Sequence, residues 1–147
     1  LPVDPLTLTT QIGYLDSEYG AEGFSGSDGI EDEPAFSPEW TARFSGNYNL
    51  AFSGGAQMNF FASANYRDAM WLGVDNLEPL SESDYWLVDA FVNWVSPKGS
   101  WTLTAGVNNA FDELYQVDGQ EFRSVANIQT AYYVYPRTYT FSVDYRY

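Results

Sequence analysis

Two residue types are missing from this 147-residue chain altogether: it has no cysteine and no histidine. Without cysteine there are no disulfides, thiolate metal sites or thiol nucleophiles. Without histidine, imidazole acid–base chemistry is excluded as well. Basic residues are scarce, 6 Lys and Arg against 20 Asp and Glu, for a net charge of −14. Phosphate recognition needs clustered Lys and Arg, so no nucleic-acid partner is expected. No apolar run approaches the ~20 residues of a spanning helix. Leu1-Pro2-Val3-Asp4-Pro5 has neither the basic start nor the apolar core of a signal peptide. Membrane-crossing strands escape such scans, because only every second residue meets lipid.

Aromatic residues, by contrast, are abundant: 5 Trp, 12 Tyr and 10 Phe. That argues against disorder despite the high net charge. They recur with a period of two. From Thr138 to Tyr147, Tyr139, Phe141, Val143, Tyr145 and Tyr147 lie on one side, and Thr138, Thr140, Ser142, Asp144 and Arg146 on the other. That period is a β-strand's. A soluble edge strand is normally blunted by charge or proline. A strand of an outer-membrane barrel has this dyad, apolar toward lipid and polar toward the lumen.

The dyad recurs five more times, with apolar rows at Leu6–Tyr14, Trp40–Phe52, Met58–Tyr66, Trp86–Trp94 and Trp101–Val107. Leu87 and Phe91 interrupt the polar side of the fourth. No convincing helix is found. Ser53-Gly54-Gly55 and Ser96-Pro97-Lys98-Gly99 make short turns, where Gly supplies positive φ and Pro presets the corner. The other connections are long, at about 18–38, 68–84 and 113–135. Alternating long and short connections puts the long loops at one end of the sheet, as in outer-membrane barrels. Phe52, Trp94, Trp101 and Tyr147 then belong to an inner aromatic girdle, and Tyr14, Trp40, Tyr66, Trp86 and Tyr139 to an outer one. The expected fold is all-β: an antiparallel meander of about six strands, part of a transmembrane β-barrel. Closure requires further strands, since about eight is the practical minimum.

The stretch Val107-Asn108-Asn109-Ala110-Phe111-Asp112-Glu113-Leu114-Tyr115 resembles the penultimate-strand motif of TonB-dependent outer-membrane receptors. Pro136-Arg137-Thr138-Tyr139-Thr140-Phe141-Ser142-Val143-Asp144-Tyr145-Arg146-Tyr147 is similar to that family's terminal strand. Ser37-Pro38-Glu39-Trp40-Thr41 resembles the lead-in to an earlier strand, and Leu6 through Asp16 the strand before it. The family has a barrel of about two dozen strands, a plug inside it and a segment that engages the TonB complex. Nothing in the chain matches plug or coupling segment, so residues 1–147 are expected to be the C-terminal part of such a barrel. The resemblance implies a Gram-negative outer-membrane location and uptake of a scarce nutrient: a ferric siderophore, cobalamin or a glycan. Implied partners are outer-membrane lipid and lipopolysaccharide, the remaining barrel and plug, and the TonB complex through a segment absent here. It also implies that Tyr139, Phe141, Val143, Tyr145 and Tyr147 form the strand read by the barrel-insertion machinery. The alternative is a self-associating or filament-forming β-sheet protein derived from such a barrel end, with other copies of the chain as partners.

Three candidate sites are readable. Asp28, Glu31, Asp32 and Glu33 place hard oxygen ligands on a glycine-rich loop. They could hold calcium, although their spacing is not that of an EF-hand and a solvated acidic loop is the commoner meaning. Trp71, Asp75 and Tyr85 put aromatics beside carboxylates at the external mouth, where they could contact a ligand or simply pack the loop. Arg43, Arg67 and Arg146 fall on the polar face. They could line a substrate path, but pairing with Asp89, Asp144 or plug residues is the expectation. Asn108-Asn109-Ala110-Phe111-Asp112 is expected to shape a strand exit, with Phe111 at the interface. No nucleophile–base pair is present, so no enzyme activity and no cofactor are expected.

Overall fold

The computed structural model describes residues 5–19, 33–74, 76–122, 126 and 128–147. Six long strands form one antiparallel sheet: β1 (Leu6–Tyr14), β2 (Trp40–Ala51), β3 (Gln57–Arg67), β6 (Tyr85–Val95), β7 (Trp101–Asn108) and β10 (Thr138–Tyr145). Their order in the sheet is β1-β2-β3-β6-β7-β10, a meander in chain order. Four short strands make two ribbons inside the later long connections. β4 (Met70–Trp71) pairs with β5 (Ser81–Glu82), and β8 (Gln116–Glu121) with β9 (Gln129–Tyr133). A 3₁₀ turn at Glu78–Leu80 precedes β5. Neither ribbon is anticipated by the hydrophobic pattern. β4 and β5 are two residues each, and β8 is polar with a register shift between Gln116 and Asp118.

Cross-strand register establishes the two faces. Leu8 pairs with Gly46, Phe44 with Ala64, Phe60 with Val92, Leu103 with Val143 and Phe141 with Ala105. These lie on the apolar face. Thr9–Ser45, Arg43–Asn65, Asn59–Asn93 and Thr104–Ser142 lie on the other. A slip of one residue would invert a strand, and none has slipped. The polar face is knitted by amides: Asn59 Nδ2 donates to Asn47 Oδ1 at 2.6 Å and Asn49 Oδ1 at 2.7 Å. Thr104 Oγ1 donates to Asn93 Oδ1 at 2.7 Å. One apolar pair interrupts it. Phe61 and Phe91 are register partners with ring centroids 6.4 Å apart, and Phe91 lies over Gly106.

Both short turns lie at one end. In the first, Gly55 takes φ +88° and its N–H reaches Phe52 O at 2.9 Å. In the second, Gly99 takes φ +71° and its N–H reaches Ser96 O at 2.9 Å. The turns adjoin, since a Cβ on Gly55 would lie 3.6 Å from Pro97 Cβ. Arg146 N–H donates to Ser100 O at 2.8 Å, which brings Tyr147 to the same end. Aromatics mark both rims of the apolar face. Tyr14–Trp40 and Tyr66–Trp86 centroids lie 4.7 and 5.1 Å apart near the long loops, and Trp101–Tyr145 4.6 Å apart near the turns. Trp86 and Trp94 lie eight positions apart on β6, about 27 Å along the strand at ~3.4 Å per residue. At the ~40° tilt of barrel strands that is about 21 Å of height, comparable with the ~25 Å apolar band of a transmembrane barrel.

The sheet is a single layer, so it has no core of its own. Leu8 and Phe141 are each 72% exposed. Among the described residues, the buried hydrophobic side chains are Met70, Leu72, Leu80 and Tyr85, all at the loop end. Leu80 locks this region together. Its side chain packs so close to Gly73 and Gly119 that a Cβ at either would meet it at 3.2 and 2.4 Å.

Candidate functional site

At the loop end of the polar face the register gathers residues from four strands. Gln11 pairs with Arg43, Arg43 with Asn65, and Asn65 with Leu87; Gly13 pairs with Thr41, Thr41 with Arg67, and Arg67 with Tyr85. Arg43 and Arg67 are therefore diagonal neighbours on adjacent strands, roughly 7–8 Å apart at the backbone. These side chains line a cavity of about 460 Å³, to which Tyr115 is added from beyond β7. Gly13 keeps one wall low, since a Cβ there would meet Thr41 Oγ1 at 2.7 Å.

Tyr85 and Tyr115 stack, with centroids 4.2 Å apart and planes at 17°. The Arg67 guanidinium lies close enough to the Tyr85 hydroxyl to act on it electrostatically. Burial pushes the Tyr115 phenol above its ordinary value; Arg67 opposes the shift and Asp89 adds to it. The expected pairing of arginine with Asp89 is not found, because Asp89 Oδ1 accepts the Asn109 backbone N–H at 3.0 Å. Among the described residues no carboxylate pairs with Arg43 or Arg67.

Of the ligand candidates, Tyr85 lies in this cavity and Trp71 does not. Trp71 Nε1 donates to Glu33 Oε2 at 2.8 Å, and Trp71 O accepts the Phe36 N–H at 2.8 Å. Asp75 lies outside the described residues. So do Asp28, Glu31 and Asp32 of the calcium candidate. Glu33, its remaining member, joins Asp16, Glu39 and Asp68 around a cleft of about 290 Å³. Among the described residues no carboxylate set has a metal-holding arrangement.

The Asn108–Asp112 motif does turn the chain. Asn109 and Asp112 take φ 51° and 60°. Asn109 Nδ2 donates to Glu113 O and its Oδ1 accepts Glu113 N–H, both at 2.8 Å. On β10, Tyr139, Phe141, Val143 and Tyr145 share the exposed apolar face, and Tyr147 contacts Tyr145 at 5.3 Å. Tyr115 was the residue missed as a site member. Its signal was faint, a tyrosine at the end of a strand-exit motif, and only the returning loop sets it on Tyr85.

A family model described as TonB dependent receptor-like, beta-barrel matches residues 5–110. No curated protein matches the chain. Two solved structures are similar in fold. BauA, the ferric preacinetobactin receptor from Acinetobacter baumannii, aligns with TM-score 0.72 and 20% identity over 98% of this chain and 20% of that one. FyuA, the ferric yersiniabactin uptake receptor from Yersinia pestis, aligns with TM-score 0.66 and 20% identity over 76% of this chain and 16% of that one. The chain thus spans about a fifth of the length of these structures. With the family model covering most of its length, a two-faced meander and a loop-end cluster, the chain belongs to the TonB-dependent receptor-like β-barrel family.

Proposed function

We propose that residues 1–147 are the C-terminal wall segment of a TonB-dependent receptor that imports a scarce nutrient across the outer membrane of a Gram-negative bacterium. Among a ferric siderophore, cobalamin and a glycan, a ferric chelate is the cargo we favour, as both structural neighbours are receptors of that kind. The observation that carries the reading is the segregation of the two faces. One face is apolar and aromatic between two aromatic rims, with Thr10, the partner of Phe44, as its polar exception. The other carries amides and, at its loop end, Arg43 and Arg67 beside Tyr85 and Tyr115. The first face suits lipid and the second a wet lumen.

In this reading the loops at about 18–38, 68–84 and 113–135 are external and adjoin lipopolysaccharide. β1 and β10 each have one neighbour; the rest of the barrel pairs with their free edges, the plug faces the amide rows, and TonB engages another part of the receptor. Tyr139, Phe141, Val143, Tyr145 and Tyr147 present the apolar strand recognised during barrel insertion. The segment works as wall and mouth, with no catalytic role.

The test is uptake of radiolabelled ferric chelates by iron-starved cells with and without the intact receptor gene. The reading predicts uptake that is lost on deletion and collapses when a protonophore dissipates the proton-motive force. Uptake indifferent to both treatments contradicts it.

A further inference from the structure

The joint between the 68–84 loop and the β8–β9 ribbon combines one apolar contact with a set of unpaired polar groups. The apolar contact is Leu80, whose side chain packs against Gly73 and Gly119. On either side of it, Asn76 Nδ2 and Oδ1, Gln116 Oε1 and Thr130 Oγ1 are buried and have no hydrogen-bond partner among the described residues. Asn76 is 8% exposed and takes φ 45°. Its backbone N–H donates to Gly73 O at 3.3 Å, which sets it beside the Leu80 contact. Thr130 approaches from the ribbon, where its carbonyl lies 3.0 Å from the place a Gly119 Cβ would take. Gln116 begins β8, and its backbone N–H donates to the Glu82 carboxylate, just past Leu80.

A buried polar group without a partner carries its full desolvation penalty, and native proteins keep few of them. Parting the loops would return these four atoms to bulk water. The joint, however, is closed by independent ties: Glu82 to Gln116, and the Tyr85–Tyr115 stack at 4.2 Å. The groups are therefore satisfied where they stand. Their mixture selects the ligand. Asn76 presents one donor and one acceptor whichever way its amide is turned, Gln116 an acceptor, and Thr130 a hydroxyl that does either. A cation would serve the oxygens and leave Asn76 Nδ2 unpaired; an anion would leave the two amide oxygens unpaired. Water donates and accepts at once. It is also small enough to reach atoms that are shut off from the surface.

From this geometry we infer that the joint is an internal water site: ordered waters bond Asn76, Gln116 and Thr130, and with Leu80 they hold the β8–β9 ribbon to the 68–84 loop. The site is separate from the cavity at Arg43 and Arg67 and is the same for any cargo.

The test uses the full-length receptor purified in detergent and has two arms. A crystal structure of it that shows ordered solvent is expected to place water within hydrogen-bond distance of Asn76 and of Gln116 or Thr130, in the same positions whatever salt the crystal is grown from. A dry joint overturns the inference. So does a group from another part of the receptor bonded to these atoms, or density that changes with the salt. The second arm is hydrogen exchange. Thr130→Val and Gln116→Met keep the shape of the side chain and remove one polar group each. If water bridges the joint, each change breaks a bridge, and exchange in residues 116–121 and 129–133 should quicken roughly three- to tenfold. Thr130→Ser, which keeps the hydroxyl, should move it by less than about twofold. In a dry joint the same two changes delete an unpaired group, so exchange there would stay as it is or slow down. That result overturns the inference as well. Exchange in β2 and β3 is the control for folding. If Gln116→Met disturbs those strands too, the contrast between Thr130→Val and Thr130→Ser decides: equal exchange in the two contradicts the water site, and faster exchange in the valine variant alone supports it. Neither arm measures transport, so failure here leaves the uptake reading standing.

Discussion

The Asp112 carboxylate accepts the backbone N–H of Arg137 at 2.8 Å. This bond ties the exit of β7 to the start of β10 across an excursion that contains β8 and β9. Arg137 returns the contact, donating from Nη1 to Ala110 O at 3.1 Å. Asp112 also sits at φ 60°, where few side chains other than Asn and Asp are at ease. Asp112→Ala is therefore expected to destabilise the folded barrel by about 1–2 kcal/mol. Asp112→Asn, which keeps an acceptor and tolerates the backbone, should lose less. Thermal unfolding followed by gel mobility measures both; equal loss would mean that the Arg137 bond is not what the residue supplies.

Leu80 fastens the β8–β9 ribbon to the 68–84 loop through its contact at Gly119. Leu80→Ala leaves a gap in the only buried apolar cluster among the described residues, which it shares with Met70 and Leu72. A loss of about 2–5 kcal/mol is expected, confined to the loop end. Hydrogen exchange should rise in residues 116–121 and 129–133 and stay unchanged in β2 and β3. Uniform exchange changes across the sheet would contradict a locally built collar.

Gly106 lies beneath Phe91, where a Cβ would come within 2.2 Å of the ring. Gly106→Val should cost about 1–3 kcal/mol by displacing Phe91. The double variant with Phe91→Ala should cost less than the sum of the two single changes. Additive losses would show that the two positions do not share space.

Tyr115 offers a pH test. Its phenol is raised above the ordinary value of ~10, first by burial and then by Asp89, against the pull of Arg67. The folded state therefore favours the protonated form. Its contribution to stability is intact below the unfolded value and is lost as pH rises through the folded one. Stacking of Tyr115 on Tyr85 should loosen only above about pH 10, seen as delayed tyrosinate absorbance. Tyr115→Phe should remove that delayed component. Titration of all tyrosines at the ordinary value would contradict the packing at the cavity.

The sheet was legible because a period of two runs through six segments with few interruptions, such as Leu87 and Phe91, and glycine turns mark one end. Register then followed, as a slip would expose Phe60 or bury Arg43 on the wrong face. The site was less legible. Arg43, Arg67 and Tyr85 could be placed on strands, but their convergence depends on cross-strand register, and Tyr115 arrives from a loop that must fold back. The expected Asp89–arginine pairing is absent among the described residues, where Asp89 Oδ1 accepts a backbone N–H instead. Charge counting does not see the Asn109 N–H, which lies closer. The ribbons were invisible because β4 and β5 are too short for a period, and Leu80, which orders them, reads as an ordinary loop leucine.

The account turns on β3 having one side in lipid and the other in an aqueous lumen. The segment has no cysteine, so single nitroxide labels can be set at residues 57–62 without competing thiols in it. In the full receptor in bilayers, labels at 58, 60 and 62 should collide with oxygen, and labels at 57, 59 and 61 with a water-soluble nickel chelate, in opposite phase. Phe60→Arg should accordingly cost about 2–4 kcal/mol near mid-bilayer, and Asn59→Arg far less. Equal access of the nickel chelate to both sets would contradict the lipid-facing wall.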